Sequence, residues 1–94
     1  PREVEQAILE IAGIREAAVI AEPDPARGEA TVACLAADDD VDAGRVMAHL
    51  RGRLSDYKLP RRIVFLPALP RGERGKIDAA TLRSRVSSGG SIVP

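Results

Sequence analysis

The sequence predicts an α+β fold: a small two-layer α/β sandwich with elements in the order α-β-β-α-β-α and about three main strands. Its 94 residues are enough for one compact domain. Apolar residues recur with helical spacing in three segments, and short apolar, partly β-branched runs lie between them. A sheet covered by helices buries both kinds of apolar surface. Since only 2% of the residues are aromatic and 45% are apolar, the core is expected to be aliphatic and thin.

The first half contains one predicted helix and two predicted strands. The helix runs from Pro1 to Ala12, where apolar residues follow i, i+3, i+4, i+7 spacing, and Gly13 ends it. The strands cover residues 17–21 and 30–36, both short apolar runs. Residues 22–28 between them are rich in turn formers, so a wide hairpin loop is expected.

The second half adds two helices and a third strand. Asp42 is a good N-cap for a helix whose apolar face is formed by Val46, Met47, Leu50 and Leu54. The third strand is predicted over residues 63–66. Two prolines and two glycines in residues 67–76 exclude regular structure there. Asp78 is expected to cap the last helix, and residues 87–94 are expected to form a flexible tail.

Charge is divided unevenly along the chain, although the net charge is zero. Residues 1–50 hold 4 Arg and Lys against 11 Asp and Glu, whereas residues 51–94 hold 10 against 3. Clustered positive charge raises the local potential for phosphates, which favours an anionic ligand at the C-terminal half. Chance segregation of the charges is the alternative interpretation.

The remaining chemically versatile residues favour structural roles. The single cysteine, Cys34, cannot form an internal disulfide or a cysteine-based metal cluster, which favours a reducing, cytoplasmic setting. It stands between aliphatic residues and is expected to be a small buried hydrophobe. His49 has no acidic or cysteine partner near in sequence, and Asp38–Asp40 lack a calcium-loop pattern. The sequence predicts no metal site, and its apolar runs are too short for a membrane span.

The segment Arg71–Asp78 places three cations on a glycine-bearing loop just before a helix. Gly75 permits close backbone approach beside Lys76, whose ammonium is a compact charge on a long stem. Such a loop can reach an anion, although an ordinary solvated lysine is the alternative. A Walker-type phosphate loop is excluded, because only two residues separate Gly72 from Gly75 and Ile77 stands where a hydroxyl is required.

The sequence Leu69-Pro70-Arg71, followed after three residues by Gly75-Lys76-Ile77-Asp78, resembles the closing signature of the acyl-adenylate-forming superfamily, which includes AMP-forming acyl-CoA synthetases. Four earlier blocks resemble that family in the same order: Pro1-Arg2-Glu3-Val4-Glu5, Gly13 to Ile20, Pro23-Asp24 with Gly28-Glu29, and Tyr57-Lys58-Leu59-Pro60-Arg61. The chain therefore resembles the family's C-terminal lid domain, with the domain predicted over residues 1–86.

The resemblance implies a ligase reaction for the full-length enzyme. ATP with Mg²⁺ activates a carboxylic acid as an acyl-adenylate, and CoA then accepts the acyl group. Lys76 matches the family lysine that reaches from the lid to the acid oxygen and the α-phosphate, so it is expected to be catalytic. Arg71, Gly72 and Gly75 are expected to support its loop.

The block Tyr57 to Arg61 resembles the segment whose basic residues contact the phosphates of the CoA nucleotide in CoA-using relatives. Lys58 and Arg61 are the candidates on that resemblance, with Arg61 favoured, and solvated surface is the alternative. Leu59 stands where some relatives carry a basic residue, so the contact pattern is expected to differ here.

The partners follow from the same resemblance. In the family the lid rotates between half-reactions against a large N-terminal domain that holds the ATP and acyl sites. That domain and the hinge are expected to lie outside this chain, so the chain alone is expected to be inactive and to bind none of the substrates. Counterparts of Lys76 can be acylated, which makes a lysine acetyltransferase a further expected partner.

Alternative functions stay open at this point. The chain could be the lid of a nonribosomal peptide-type adenylation domain that loads a carrier protein, or a lid that works in trans. A non-catalytic module that binds a polyanion belongs to another class, but the sequence has no aromatic stacking platform and no nucleic-acid motif, so no nucleic acid is expected. The acid that is activated is not specified by these residues.

Overall fold

The computed structural model describes residues 2–26, 28–87 and 91–92. Its helices and strands are, in chain order, α1 (Arg2–Leu9), β1 (Ile14–Asp24), β2 (Gly28–Ala37), α2 (Ala43–Arg53), β3 (Arg62–Phe65), α3 (Ala79–Ser87) and β4 (Ser91–Ile92). Single turns of 3-10 helix at Asp56–Lys58 and Glu73–Gly75 lie in the connections. The predicted α+β class and the order α-β-β-α-β-α are confirmed, and the short β4 follows them.

The hairpin formed by β1 and β2 is longer than the sequence predicts. Its pairing continues as far as Asp24 and Gly28, so only residues 25–27 separate the two strands. The predicted wide loop over residues 22–28 was therefore wrong. Pro23 fits inside β1 because this strand is the edge of the sheet, where a missing backbone N–H is tolerated.

The sheet has the strand order β1-β2-β3-β4, with β2 and β3 parallel and the other pairs antiparallel. Alternate residues of β2 point to opposite faces. Ala33 and Leu35 pack with α1 and α2, while Val32 and Cys34 pack with α3. Helices therefore cover both faces of the sheet, and β1 carries one free edge.

The local signals that predict α2 are confirmed. Asp42 caps the helix, because its Oδ1 accepts the N–H of Arg45 at 2.8 Å. The predicted apolar face is buried at Val46, Met47, Leu50 and Leu54. Helix α1 ends at Leu9, earlier than predicted, and the chain turns at Gly13, where φ is 95°. A Cβ on Gly13 would lie 2.7 Å from Val41 Cγ2, so this turn needs glycine for space as well as for its dihedral angle.

The segment over residues 87–94, predicted to be a flexible tail, is described in part. Helix α3 ends at Ser87, and Ser91–Ile92 pair with Ile63 and Val64 of β3. The other residues of that segment lie outside the described part of the chain, and the domain boundary after residue 86 stays a prediction.

Candidate functional site

The loop that carries Lys76 is closed at its base by backbone hydrogen bonds. The Gly72 N–H donates to the Lys76 carbonyl at 2.8 Å, and the Asp78 N–H donates to the Pro70 carbonyl at 2.9 Å. Leu69, just before the loop, is buried in the cluster between the sheet and α3. Lys76 therefore stands on a closed loop that is anchored in the core on its N-terminal side.

The tip of the loop, Glu73–Gly75, is a 3-10 turn where the sequence predicts no regular structure. Arg74 has a φ of 68° and Gly75 a φ of 74°, so two successive residues occupy the left-handed region. This conformation costs an ordinary L-residue roughly 1–2 kcal/mol and glycine almost nothing. Gly72 has a φ of −90° and open space at its Cβ position, so the loop uses its N–H rather than glycine geometry.

Arg71 holds the loop from the side. Its Nε and Nη2 donate to Glu16 Oε1 at 3.1 and 2.5 Å, and its Nη1 donates to the Gly75 carbonyl at 2.7 Å. Glu16 Oε2 also accepts the Leu69 N–H at 3.2 Å. The hydrogen bonds from Arg71, and then that from Leu69, hold the pKa of Glu16 below its ordinary value. Sequence analysis missed Glu16, because it lies 55 positions before Arg71 and no local pattern links them.

Lys76 is exposed where the loop enters α3, with an extended backbone (φ −80°, ψ 147°). Among the described residues, no carboxylate lies within 4.0 Å of its ammonium. Lys76 borders an open groove of about 530 Å³ that residues of β1 and α3 also line. Glu5 lines the same groove, but its Oε2 already accepts the Val19 N–H at 2.9 Å. The arrangement leaves a mobile, unpaired cation available to an anion outside this chain.

Lys58 and Arg61 lie in a different part of the surface. Lys58 Nζ donates to Glu3 Oε1 at 2.6 Å, and this bond raises the pKa of Lys58. Arg61 makes looser ion pairs, 4.0 Å to Glu22 and 3.8 Å to Asp24. Arg61 is therefore the more available of the two cations.

The structure does not bring Arg71 and Arg61 together. Arg71 is anchored on Glu16 and Arg61 approaches Asp24, so the two arginines are held at opposite ends of β1. Eight residues of extended chain at roughly 3.3 Å each give a separation of about 26 Å between the two carboxylate-bearing positions. The two arginines are therefore too far apart to bind one small anion together.

The charges of the acidic first half and the basic second half mainly form ion pairs with each other within the fold. Carboxylates of the first half pair with cations of the second half: Glu3–Lys58, Glu10–Arg53, Glu16–Arg71 and Glu22–Arg62. Within the described part of the chain, the second-half cations without a carboxylate inside 4.0 Å are Arg51, Arg74, Lys76 and Arg83. Two of these four cations, Arg74 and Lys76, lie on the loop. The loop therefore carries positive charge that no described carboxylate pairs with.

The other residues considered in the sequence have structural partners. His49 Nε2 lies 3.0 Å from Glu10 Oε1, a partner 39 positions away that sequence proximity could not reveal. Cys34 is fully buried as predicted, and burial raises the pKa of its thiol to about 11. No group of three or more His, Cys, Asp or Glu residues in the described ranges could hold a metal ion. None of the described helices is long and apolar enough to cross a membrane.

Comparison with known proteins gives consistent matches. A family model for the AMP-binding enzyme C-terminal domain matches residues 3–76. The long-chain-fatty-acid–CoA ligase FadD13 of Mycobacterium tuberculosis is 37% identical over 89 residues, which cover 94% of this chain and 18% of that ligase. A solved Mycobacterium tuberculosis fatty acyl CoA synthetase has a TM-score of 0.88 and 37% identity, covering 94% of this chain and 18% of its own.

A third relative differs from these two in its named activity. The amide bond synthetase McbA of Marinactinospora thermotolerans has a TM-score of 0.82 and 36% identity, covering 89% of this chain and 17% of its own. This chain therefore spans less than a fifth of the length of each of these relatives.

Proposed function

We propose that this chain, which belongs to the family of AMP-binding enzyme C-terminal domains, is the lid of an AMP-forming acid–thiol ligase. The full-length ligase activates a carboxylic acid with ATP as an acyl-adenylate and transfers the acyl group to CoA. The observation that carries the proposal is Lys76: an exposed cation, unpaired among the described residues, on a loop whose base and tip are fixed by hydrogen bonds.

Lys76 acts by stabilising charge in the first half-reaction. When a carboxylate oxygen attacks the α-phosphorus of ATP, the new P–O bond forms as the bond to pyrophosphate breaks, and negative charge develops on the equatorial oxygens. An ammonium placed beside those oxygens lowers the barrier. Because the loop is held before substrate arrives, little of this stabilisation is lost in ordering it.

The other components of the reaction belong to the rest of the ligase. ATP with Mg²⁺ and the acid are held by a large N-terminal domain, which closes against this chain. The chain alone is inactive, since Lys76 stabilises charge on a substrate that it does not bind by itself. A reducing, cytoplasmic setting is supported by the single free thiol of Cys34.

CoA is bound at the other end of β1 in this proposal. Arg61 contacts its phosphates, because the ion pairs of 4.0 and 3.8 Å that hold this guanidinium are loose enough to exchange for a phosphate. Lys58 contributes less, since Glu3 holds its ammonium at 2.6 Å. The lid therefore presents different parts of its surface in the two half-reactions, and Lys76 leaves the site before thiol attack.

A second acceptor has one observation in its favour. The amide bond synthetase is 36% identical over this region, nearly as much as the CoA ligase, so similarity of the lid does not determine the nucleophile. An amine would accept the acyl group from the same adenylate. Product analysis with CoA and with an amine distinguishes these acceptors.

Lys76 is also a modification site in this proposal. A lysine acetyltransferase could reach its exposed side chain, and acetylation would remove the charge that adenylation requires. When intact-mass analysis shows full acetylation of Lys76, pyrophosphate release is expected to be abolished. Undiminished release by the acetylated ligase would refute this regulation.

The first experiment compares Lys76→Ala with wild type in the full-length ligase. With a panel of acids, we expect pyrophosphate release to fall by about 10²-fold or more, because loss of one preorganised donor costs roughly 3 kcal/mol or more. Thiolation of supplied acyl-adenylate should be retained.

Arg51→Ala is the matched control, since Arg51 is another exposed cation without an ion-pair partner among the described residues and lies on α2. It is expected to leave both half-reactions unchanged. If Lys76→Ala released pyrophosphate at the wild-type rate, the catalytic role proposed for Lys76 would be refuted.

A further inference from the structure

Glu16 contacts the Lys76 loop at two points from a strand that is distant in sequence. Its Oε2 accepts the Leu69 N–H where the chain enters the loop, and its Oε1 accepts two hydrogen bonds from Arg71. Arg71 continues the series by donating to the carbonyl of Gly75, the residue immediately before Lys76. An unbroken series of hydrogen bonds therefore runs from β1 to the peptide that carries the lysine.

The loop has little else to fix its tip. Of the residues that the structure describes, none places a heavy atom within 4 Å of a Cβ added at Gly72 or Gly75, so these two positions of the tip make no close side-chain packing with the domain. Among the described residues, Arg71 provides the only side-chain hydrogen bond to residues 72–76. The direction in which Lys76 leaves the domain consequently depends on Arg71, and the position of Arg71 depends on Glu16.

Burial makes this contact more than an ordinary surface ion pair. The Glu16 side chain is 21% exposed and that of Arg71 is 46% exposed, so the carboxylate is the better shielded partner. Two adjacent N–H groups of Arg71 converge on the single oxygen Oε1 of Glu16, and these charged hydrogen bonds restrict the plane of the guanidinium. That plane directs Nη1 at the Gly75 carbonyl.

We infer that Glu16 is a positioning residue for the adenylation step, acting through Arg71 on the loop that carries Lys76. The inference rests on the proposed function. Glu16 does not touch the reacting atoms. It fixes the approach of the ammonium to the α-phosphate oxygens, and it has no part in thiol transfer, during which Lys76 is withdrawn.

The test uses the full-length ligase with Glu16→Gln and Arg71→Lys. Glutamine keeps the length and the acceptor for the Leu69 N–H but loses the charge that holds Arg71, and lysine cannot reproduce the planar fork. We expect each variant to lower kcat for pyrophosphate release by about 10- to 10²-fold, the scale of a displacement of roughly 1 Å. Thiolation of supplied acyl-adenylate should stay within about twofold of wild type.

The double variant tests whether Glu16 and Arg71 act in one series. Since both residues act in one series, Glu16→Gln combined with Arg71→Lys should lose no more adenylation rate than the worse single variant. If the two substitutions acted independently, their rate losses would multiply in the double variant. That result would mean that Glu16 does not act through Arg71, and it would overturn the inference.

Glu22→Gln is the matched control for adenylation. Glu22 lies on the same strand, is 22% exposed, and accepts two hydrogen bonds from one arginine, Arg62, but does not contact the loop. It should leave pyrophosphate release unchanged. A loss equal to that of Glu16→Gln would mean that any broken β1 ion pair has the effect, and the inference would be overturned.

The possible failures are distinguishable. If Lys76→Ala is active, the catalytic role proposed for Lys76 fails, and the positioning role fails with it. If Lys76→Ala is inactive while Glu16→Gln and Arg71→Lys both keep adenylation within about twofold, only the positioning role fails. Equal loss of both half-reactions in both variants would show general destabilisation and would also overturn it.

Discussion

Gly72 and Gly75 lie in one loop, yet the backbone requires glycine at only one of them. Gly72 has a φ of −90° with open space around its Cβ position, whereas Gly75 has a φ of 74°. We expect Gly72→Ala to unfold at the wild-type temperature. Gly75→Ala should lower the free energy of unfolding by roughly 1–2 kcal/mol, or open the loop to avoid this cost.

Thermal unfolding of the two variants side by side is the measurement. The pair controls for the added methyl group, since neither position has a neighbour to clash with. Equal unfolding temperatures would contradict the left-handed conformation described at Gly75.

At the scale of the element, the start of α3 also forms one end of the loop. Asp78 Oδ1 accepts the Thr81 N–H at 3.1 Å and its Oδ2 accepts the Thr81 hydroxyl at 2.8 Å, which lowers the pKa of Asp78. Its own N–H closes the loop on Pro70. Asp78→Ala is expected to cost about 1 kcal/mol of stability, as loss of an N-cap does, and to slow adenylation as the loop end frays.

Asp42→Ala is the control, because Asp42 caps α2 with a comparable hydrogen bond of 2.8 Å and does not contact the loop. Chemical denaturation and pyrophosphate release measure the two effects separately. We expect the two variants to lose similar amounts of stability, and only Asp78→Ala to slow adenylation. Equal adenylation defects would refute the specific contribution of the α3 cap to the loop.

Elements with local signals were predicted well from the sequence, and those that depend on distant partners were not. The N-caps at Asp42 and Asp78 follow from residue type and neighbouring periodicity, and both are present. The extent of the β1–β2 hairpin was missed because cross-strand pairing overrides the turn-forming character of Pro23 and Asp24. Lys76 was found through its glycine-bearing motif. The contact of Glu16 with the loop could not be predicted, because it forms only when the fold brings Arg71 to Glu16.

For the whole molecule, ion pairs between the acidic first half and the basic second half make stability depend on pH. Hydrogen bonds from Arg53 and then His49 lower the pKa of Glu10 from 4.5 to about 2. Hydrogen bonds from cations also lower the pKa values of Glu3, Glu16 and Glu22. A lowered pKa in the folded state means that the stabilisation is complete above 4.5 and is lost as pH falls toward 2.

We therefore expect the unfolding temperature of the chain to fall through this acidic window, and to fall less at high salt, where the exposed pairs are already screened. Glu10→Gln should be less stable than wild type at neutral pH, and the difference should vanish below pH of about 2. Thermal unfolding across pH measures both. A difference that persisted unchanged in acid would contradict the pairing.

The strand β1 joins the two candidate regions as one rigid body. From Glu16 to Asp24 it pairs without interruption with β2, so its ends cannot move independently. In the proposed ligase, any rotation of the lid therefore moves both ends of β1 together at a fixed separation. A movement that repositions Arg71 for one half-reaction consequently repositions Arg61 as well.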